Sequence, residues 1–223
     1  MKVDGEVFLA SLNSAEADAL RERAGVRSFA RGAALFHERQ AGDRVLVLLS
    51  GCVKLSCLSN EGKEVVLAIR GPGDLVGELS AIDGEPRSAT AIALEPVEAL
   101  SMSASDFKAF LSGNPRVALS LVAMLGRRLR DADRKRVEFA AEDTLTRVAA
   151  RIVELSERFG DEAARGLEID LPISQEELAG WTGCSRDSVV KALQAMRGLG
   201  WIETERRRII VRDVDSLRSR AAC

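Results

Sequence analysis

Residues 173–193 read ISQEELAGWTGCSRDSVVKAL, and this stretch decides the fold of the C-terminal part of the chain. Ser174 is an N-cap residue type, and Glu177 occupies the capping-box position three residues later. Gly183 permits a tight turn, because glycine adopts positive φ without a steric penalty. Ser185 has the residue type of a second N-cap. The stretch therefore predicts two short helices joined by a turn, which is a helix-turn-helix.

The second of these helices has one apolar face and one polar face. Val189, Ala192, Leu193 and Met196 form the apolar face. The first turn of such a helix is the part that reaches base edges in the major groove of DNA. There an arginine at 186 can pair with guanine, and an aspartate at 187 can accept a hydrogen bond from the cytosine amino group.

Two apolar runs, 201–203 and 209–211, predict a two-stranded wing with Arg206, Arg207 and Arg208 near its tip. Residues 184–212 hold seven basic and three acidic residues, although the whole chain has a net charge of -2. A local basic face is what phosphate contact requires, and beside this motif it favours DNA over an ordinary charged surface. The candidate DNA-binding residues are Ser174, Gln175, Ser185, Arg186, Asp187, Ser188, Lys191, Arg206 and Arg207.

The N-terminal half has a different pattern. Between residues 30 and 100, short apolar runs such as 45–49, 53–58 and 65–69 alternate with glycines. Runs of this length between turn residues predict an antiparallel β sandwich or roll. Residues 11–25 predict a short helix with Ser14 as its N-cap.

A long helix is predicted from residue 114 to about 141, with Pro115 in its first turn. Its apolar residues recur with a period of 3.5, which is typical of a seam between two paired helices. The same stripe could pack on its own domain, but the heavy charge on the other faces favours pairing with a second copy. The predicted stripe consists of Val122, Leu125, Leu129, Ala132 and Phe139.

Asp143 is the predicted N-cap of the next helix, which ends at Gly160 and is followed by a polar loop up to Leu171–Pro172. The predicted domains are therefore 1–113, 114–142 and 143–223. Together they make an α+β protein with an N-terminal antiparallel β-roll, a long dimerisation helix and hinge, and a C-terminal winged helix-turn-helix.

Two short stretches inside the β region, GELS at 77–80 and RSA at 87–89, combine residue types that bind anions. A helical turn opening at Gly77 would offer free backbone N–H groups to an anion. Arg87 can pair with a phosphate, and Glu78 can accept a hydrogen bond from a sugar hydroxyl. A Glu78–Arg87 ion pair that closes a loop is the alternative, and the spacing does not decide between the two.

Other site classes find little support. Cys52, Cys57, Cys184 and Cys223 form no C-x-x-C pair, and His37 is the one histidine, so neither a metal site nor a haem is expected. No G-x-S-x-G motif is present, which argues against a hydrolase. The acidic segment Met1–Glu6 does not resemble a secretory signal, and no apolar run approaches the roughly 20 residues of a membrane helix. We therefore expect a cytoplasmic protein with reduced thiols that is not an enzyme and has no membrane partner.

Taken together, the chain resembles the CRP–FNR family of bacterial transcription regulators over nearly its whole length. The resemblance is carried by the 77–80 and 87–89 stretches, the long helix and the winged helix-turn-helix. It implies a homodimer that binds a pseudo-palindromic double-stranded DNA site, with RNA polymerase as a further partner. The effector implied is a cyclic nucleotide, cyclic AMP foremost, with cyclic GMP or no nucleotide as alternatives.

The resemblance also implies a ligand pocket. Arg87 and Ser88 would hold the cyclic phosphate, Glu78 would hold the ribose 2′-hydroxyl, and Arg128 would approach them from the long helix. Where the family's type member has Thr and Ser facing the base, this chain has Ala132 and Asp133, and Asp133 could accept from either adenine or guanine. The implied pocket residues are Leu67, Ala68, Gly77, Glu78, Leu79, Ser80, Arg87, Ser88, Ala89, Arg128, Ala132 and Asp133.

Overall fold

A computed structural model describes residues 7–170 and 173–221. Some of the sequence predictions concern residues outside this description, namely Met1–Glu6, Leu171–Pro172 and Cys223. The described chain divides into two compact units. We call residues 7–57 and 67–130 the N-terminal unit, and residues 58–66 and 131–221 the C-terminal unit.

Eight strands build the predicted β-roll as two four-stranded sheets, ordered β1-β8-β3-β6 and β2-β7-β4-β5. The pairings β1–β8, β3–β8 and β4–β7 are antiparallel, as the sequence predicted. The strands are β1 (Gly25–Phe29), β2 (Ala34–Phe36), β3 (Arg44–Ser50), β4 (Val53–Leu58), β5 (Glu64–Arg70), β6 (Leu75–Val76), β7 (Thr90–Ala93) and β8 (Val97–Ser103).

Strand β3 contributes to both cores of this unit, because alternate side chains of a strand point to opposite faces. Leu46 and Leu48 join the cluster inside the roll. Val45 and Val47 join a second cluster, on the other face of the sheet, with side chains from the helices. These helices are α1 (Ser14–Arg23), α2 (Glu78–Asp83), α3 (Ala104–Gly113) and α4 (Pro115–Ala141).

The N-cap of helix α1 lies one residue before the predicted one. The N-cap is Asn13, not Ser14: the Asn13 side chain accepts from the Glu16 N–H, and the Glu16 carboxylate accepts from the Asn13 N–H. Both residue types cap well, and the reciprocal bond to Glu16 three residues on selects Asn13.

Helix α4 begins at Pro115, and most of its predicted apolar stripe is exposed. Leu125 is the exception, because it is partly buried and packs against the core of its own unit. The large apolar side chains exposed on the helix include Leu119 by 71%, Val122 by 65%, Leu129 by 64% and Val137 by 64%. We call Leu119, Val122 and Leu129 the free stripe. Ala132 is exposed further along the helix, and Phe139 lies near Arg147 of the following helix.

The C-terminal unit contains more sheet than predicted. Residues 160–169, predicted as a polar loop, form a hairpin that extends the wing to four strands in the order β11-β12-β10-β9. The hairpin escaped prediction because the first of its strands has a largely exposed, polar sequence. The elements are α5 (Thr144–Phe159), β9 (Gly160–Ala163), β10 (Gly166–Ile169), α6 (Gln175–Thr182), α7 (Arg186–Gly198), β11 (Ile202–Glu205), β12 (Arg208–Val211) and α8 (Val214–Ala221).

The ends of α5 follow the sequence prediction. Asp143 is its N-cap, and its side chain accepts from the Thr146 N–H at 2.8 Å. The same carboxylate pairs with Arg220 of α8, whose Leu217 is fully buried. The final helix is therefore tied both to the core and to the start of α5.

Within residues 7–170 and 173–221, no single helix is long and apolar enough to cross a membrane. Helices α3 and α4, which meet at 113°, satisfy that test only as a pair, by length and composition.

The core of the roll yields a stability prediction. Leu48 is completely buried, and replacing it with alanine leaves a cavity, so Leu48→Ala should lower the free energy of unfolding by about 2–5 kcal/mol. The same substitution at Leu58, which is 64% exposed, should cost far less. Urea unfolding followed by circular dichroism measures both, and equal losses would contradict the assignment of the core.

Candidate functional site

The first candidate site is built around Gly77, which joins β6 to α2 at a φ of 79°. A Cβ at this position would lie 2.5 Å from Nη1 of Arg87 and 3.2 Å from the carbonyl oxygen of Arg44. Glycine is therefore required here both by the left-handed backbone and by the close approach of the arginine. The turn brings the 77–80 stretch against Arg87, as the sequence predicted.

Arg87 is a buried cation with only 4% of its surface exposed. Its Nη1 donates to the Gly77 carbonyl at 2.6 Å, its Nη2 donates to the Arg44 carbonyl at 2.5 Å, and its guanidinium lies 4.4 Å from the Phe36 ring centre. Nε is buried and has no hydrogen-bond partner in the described part of the chain.

No carboxylate of residues 7–170 and 173–221 forms an ion pair with this guanidinium. Burial lowers the pKa of Arg87, although the charges of Asp43 and Glu78 oppose that effect. Arginine nevertheless remains charged in proteins. The site thus holds a desolvated positive charge that an anion can neutralise.

Glu78, also 4% exposed, has its partner on the long helix. Arg128 Nη1 donates to Glu78 Oε1 at 2.8 Å, and Nη2 donates to the Leu75 carbonyl at 2.9 Å. The Glu78–Arg87 ion pair considered as an alternative is therefore not formed. Arg128 approaches the 77–80 stretch as the family resemblance implied.

The remaining candidate pocket residues differ in exposure. Ala68, Ser80 and Ala89 are buried, whereas Ser88 is exposed and Leu67 and Leu79 are about half exposed. Ala132 and Asp133 belong to the C-terminal unit, where both are exposed.

Gly42 is a contributor that the sequence analysis missed. A Cβ on Gly42 would lie only 2.1 Å from Cβ of Ser80 in α2. The absence of a side chain at 42 therefore makes room for the serine at 80. In the sequence Gly42 is one of several turn glycines, and nothing local distinguishes it.

A cavity of about 360 Å³ opens beside Arg87. Glu78, Ser88 and Leu67 do not line it, so it does not coincide with the whole predicted pocket. Its walls are formed by Arg27, Phe29, Leu35, Phe36, Gln40, Ala41, Asp43, Arg44, Leu46 and Arg87.

The second candidate site is the helix-turn-helix, α6 and α7. The Ser174 hydroxyl and the Glu177 carboxylate form the predicted capping box, Gly183 turns the chain at a φ of 63°, and Ser185 caps α7. The inner face of α7 is buried as predicted. The hydroxyls of Ser174, Ser185 and Ser188 form hydrogen bonds within these caps, and their contact with DNA stays a prediction.

The outward residues of α7 are available to a partner. Arg186, Asp187 and Lys191 are exposed, as is Gln175 at the start of α6. Arg206 and Arg207 are exposed at the turn between β11 and β12, where Arg207 has a φ of 62°.

Arg208 differs from the other two wing arginines. It donates to Glu168 at 3.1 Å and to Asp170 at 3.3 Å. Its guanidinium is thus paired with two carboxylates, whereas its suitability for phosphate contact stays a prediction.

The described thiols and the histidine form neither a disulfide nor a metal-binding group. Cys52, Cys57 and Cys184 are not joined in disulfides, and His37 is exposed. Residues 7–170 and 173–221 contain no group of three or more His, Cys, Asp and Glu side chains that could hold a metal ion.

Comparison with known proteins assigns a family to each of the two regions that hold these candidate sites. Residues 26–114 match the cyclic nucleotide-binding domain family, and residues 146–220 match the Crp-like helix-turn-helix domain family. Fold and sites thus define a DNA-binding transcription regulator that carries a cyclic nucleotide-binding domain.

Two relatives in sequence and one solved structure illustrate the similarity. The CRP-like cAMP-activated global transcriptional regulator of Mycobacterium tuberculosis is 34% identical over 193 residues, which is 86% of each chain. The cyclic AMP receptor protein of Thermus thermophilus is 35% identical over 76% of each chain. The structure of FixK2 from Bradyrhizobium japonicum, 22% identical, shares the fold with a TM-score of 0.80 over 90% of this chain and 98% of its own. The chain belongs to the CRP–FNR family of transcription regulators.

The contact between Gly42 and Ser80 yields a compensation test. Gly42→Ala should displace the start of α2 and weaken ligand binding at the site, because its Cβ would overlap Ser80. The double variant G42A/S80G should recover most of the lost stability and ligand binding, because it removes the Cβ of Ser80 with which the new Cβ overlaps. Thermal unfolding and titration with cyclic nucleotides, for G42A, S80G and the double variant, measure this. If S80G does not rescue G42A, the two residues are not coupled.

Proposed function

We propose that the protein is a homodimeric regulator whose DNA binding is controlled by cyclic AMP bound in the β-roll. The observation that carries this proposal is the buried Arg87 guanidinium without an ionic partner in the described chain. A buried charge is costly unless it is paired. A cyclic phosphate beside Arg87 would supply the missing negative charge.

Cyclic AMP is favoured over cyclic GMP by two relatives whose names include cAMP or cyclic AMP. In this proposal Arg87 and Ser88 hold the phosphate, and Glu78, oriented by Arg128, accepts from the ribose 2′-hydroxyl. Leu67, Ala68 and Leu79 line the pocket beside them. Asp133 and Ala132 remain predictions for the base, because their proposed role requires the second chain.

The free stripe supports the proposed homodimer. Three large apolar side chains exposed on one helix are costly in water and suit pairing with the same helix of a second chain. Two-fold symmetry then presents two recognition helices to a pseudo-palindromic site, with half-sites about 34 Å apart.

Control by the nucleotide is proposed to act by population shift. The dimer is proposed to have two arrangements, and the nucleotide binds more tightly to the one with the higher affinity for DNA. The size of the shift is set by the difference between the nucleotide's affinities for the two arrangements. RNA polymerase is the further partner implied by the family, and the site of action is the cytoplasm, where the chromosome lies. We infer that the chain works by binding rather than by catalysis.

The nucleotide assignment is tested by titration calorimetry with cyclic AMP and cyclic GMP in parallel. Wild-type protein should bind cyclic AMP with micromolar affinity, and Arg87→Leu should abolish binding because the phosphate loses its buried cation. Arg31→Leu, which removes an exposed arginine, serves as the matched control and should bind normally.

Each other outcome has a definite meaning. Tighter binding of cyclic GMP would assign the base preference to guanine, and Asp133→Ala should then weaken it. Binding of neither nucleotide would overturn the proposal and leave a regulator that binds DNA without a small molecule.

The DNA contact of Arg186 is tested by its alanine variant. Loss of a bidentate pair with guanine should cost about 1–3 kcal/mol of binding free energy and relax the preference at one base pair. Binding to an array of single-base operator variants measures both effects. A uniform loss across all sequences would instead make Arg186 a phosphate contact.

A further inference from the structure

Trp181, in the first helix of the helix-turn-helix, is buried next to two cations that bind the same carboxylate oxygen of Glu154. The tryptophan is 2% exposed. Lys135 Nζ lies 5.6 Å from its ring, and the Arg151 guanidinium lies 5.7 Å from it. Both distances are within the range of cation–π attraction, which is strongest for tryptophan and grows when the cation is desolvated.

Both cations are themselves buried, Lys135 to 7% exposure and Arg151 to 4%. Lys135 pairs with Asp131 at 2.9 Å and with Glu154 at 3.2 Å. Arg151 pairs with Glu138 at 2.5 Å and with Glu154 at 3.0 Å. We call these five charged side chains and Trp181 the clamp.

The cations around Asp131 favour its carboxylate form. Burial works against ionisation of Asp131, but the charges of Lys135, Arg134 and Arg151 outweigh it, so the pKa of Asp131 lies below its ordinary value. Two cations and three carboxylates leave the group one positive charge short, and Arg134, which pairs with Asp131 and with Glu138, supplies that charge.

The clamp joins three helices. Asp131, Lys135 and Glu138 lie in the last turns of α4, Arg151 and Glu154 lie in α5, and Trp181 lies in α6. A second contact also joins the end of α4 to the helix-turn-helix. A Cβ on Gly183, at the turn before α7, would lie 3.4 Å from the Phe139 ring of α4. The end of α4 thus reaches the helix-turn-helix directly, independently of the short link at residues 142–143.

A buried group of ion pairs holds helices together at a cost in desolvation free energy. Apolar residues of similar volume often stabilise as well or better. Ion pairs and ring contacts fix the relative orientation of the helices, because each contact requires its partner at a particular distance and angle. An arrangement of this kind fits a need for orientation more than a need for stability.

We propose that Lys135 and Arg151 are positioning residues for DNA recognition, holding Trp181 so that the last turns of α4 and the helix-turn-helix move as one rigid body. The orientation of α7 is then set by residues 131–139 of α4, and flexing at Asp143 alone cannot change it. The proposal requires DNA binding but no nucleotide, so its test is independent of the cyclic AMP assignment.

The test removes the ring while leaving every charge paired. Trp181→Leu takes away the surface that both cations contact, and Trp181→Phe keeps a ring there. Phe159→Leu is the matched control: it removes a ring that faces Arg158 at 5.3 Å on α5, outside the clamp. Each variant is measured for affinity to a duplex selected from random DNA by the wild-type protein and to a random duplex of the same length, with and without cyclic AMP.

Trp181→Leu should lower the ratio of specific to non-specific affinity by about tenfold or more, while non-specific binding stays near the wild-type value. Trp181→Phe and Phe159→Leu should keep most of the ratio. A purely structural role would lower the melting temperature and leave the ratio of the folded variant unchanged, and that result would overturn the proposal.

A paired substitution covers the case in which Trp181→Leu does not fold. K135Q/E154Q removes one cation and one carboxylate together and leaves groups that can still hydrogen bond. It should also lower the ratio of specific to non-specific affinity. A wild-type ratio in this variant would overturn the proposal by itself.

Discussion

The buried guanidinium of Arg87 is the constraint around which the N-terminal unit is organised. Two backbone carbonyls and one aromatic ring hold it, and the turn at Gly77 is shaped to admit it. None of these partners carries a negative charge, so the arrangement is incomplete in electrostatic terms. The neighbouring acid, Glu78, is held apart by Arg128, which leaves the guanidinium ready for an anion from outside the chain.

Features with a local cause were predictable from sequence. The caps at Ser174 and Ser185 and the turn at Gly183 depend on residues three or four positions apart, and the structure has all of them. The antiparallel roll followed in the same way from apolar runs between glycines. The one capping error, Ser14 for Asn13, arose where two good capping residues are adjacent and the bond to Glu16 selects between them.

Features that depend on distant residues were not predictable. Periodicity located an apolar stripe on α4 but did not show that one of its members, Leu125, also packs against the core of its unit. The pairing of Arg208 with Glu168 joins residues 40 positions apart, and the space that Gly42 leaves for Ser80 has no sequence signature. In the same way, only the folded chain shows that two cations lie close to the Trp181 ring.

The pairing of Arg220 with Asp143 has a practical consequence for anyone who produces this protein. Shortening the chain before α8 removes Leu217 from the core and deprives the Asp143 carboxylate of its cation. An affinity tag that perturbs this last helix would therefore disturb the beginning of α5, far away in sequence. Preparations meant for quantitative DNA-binding work should keep the C-terminal helix intact and unmodified.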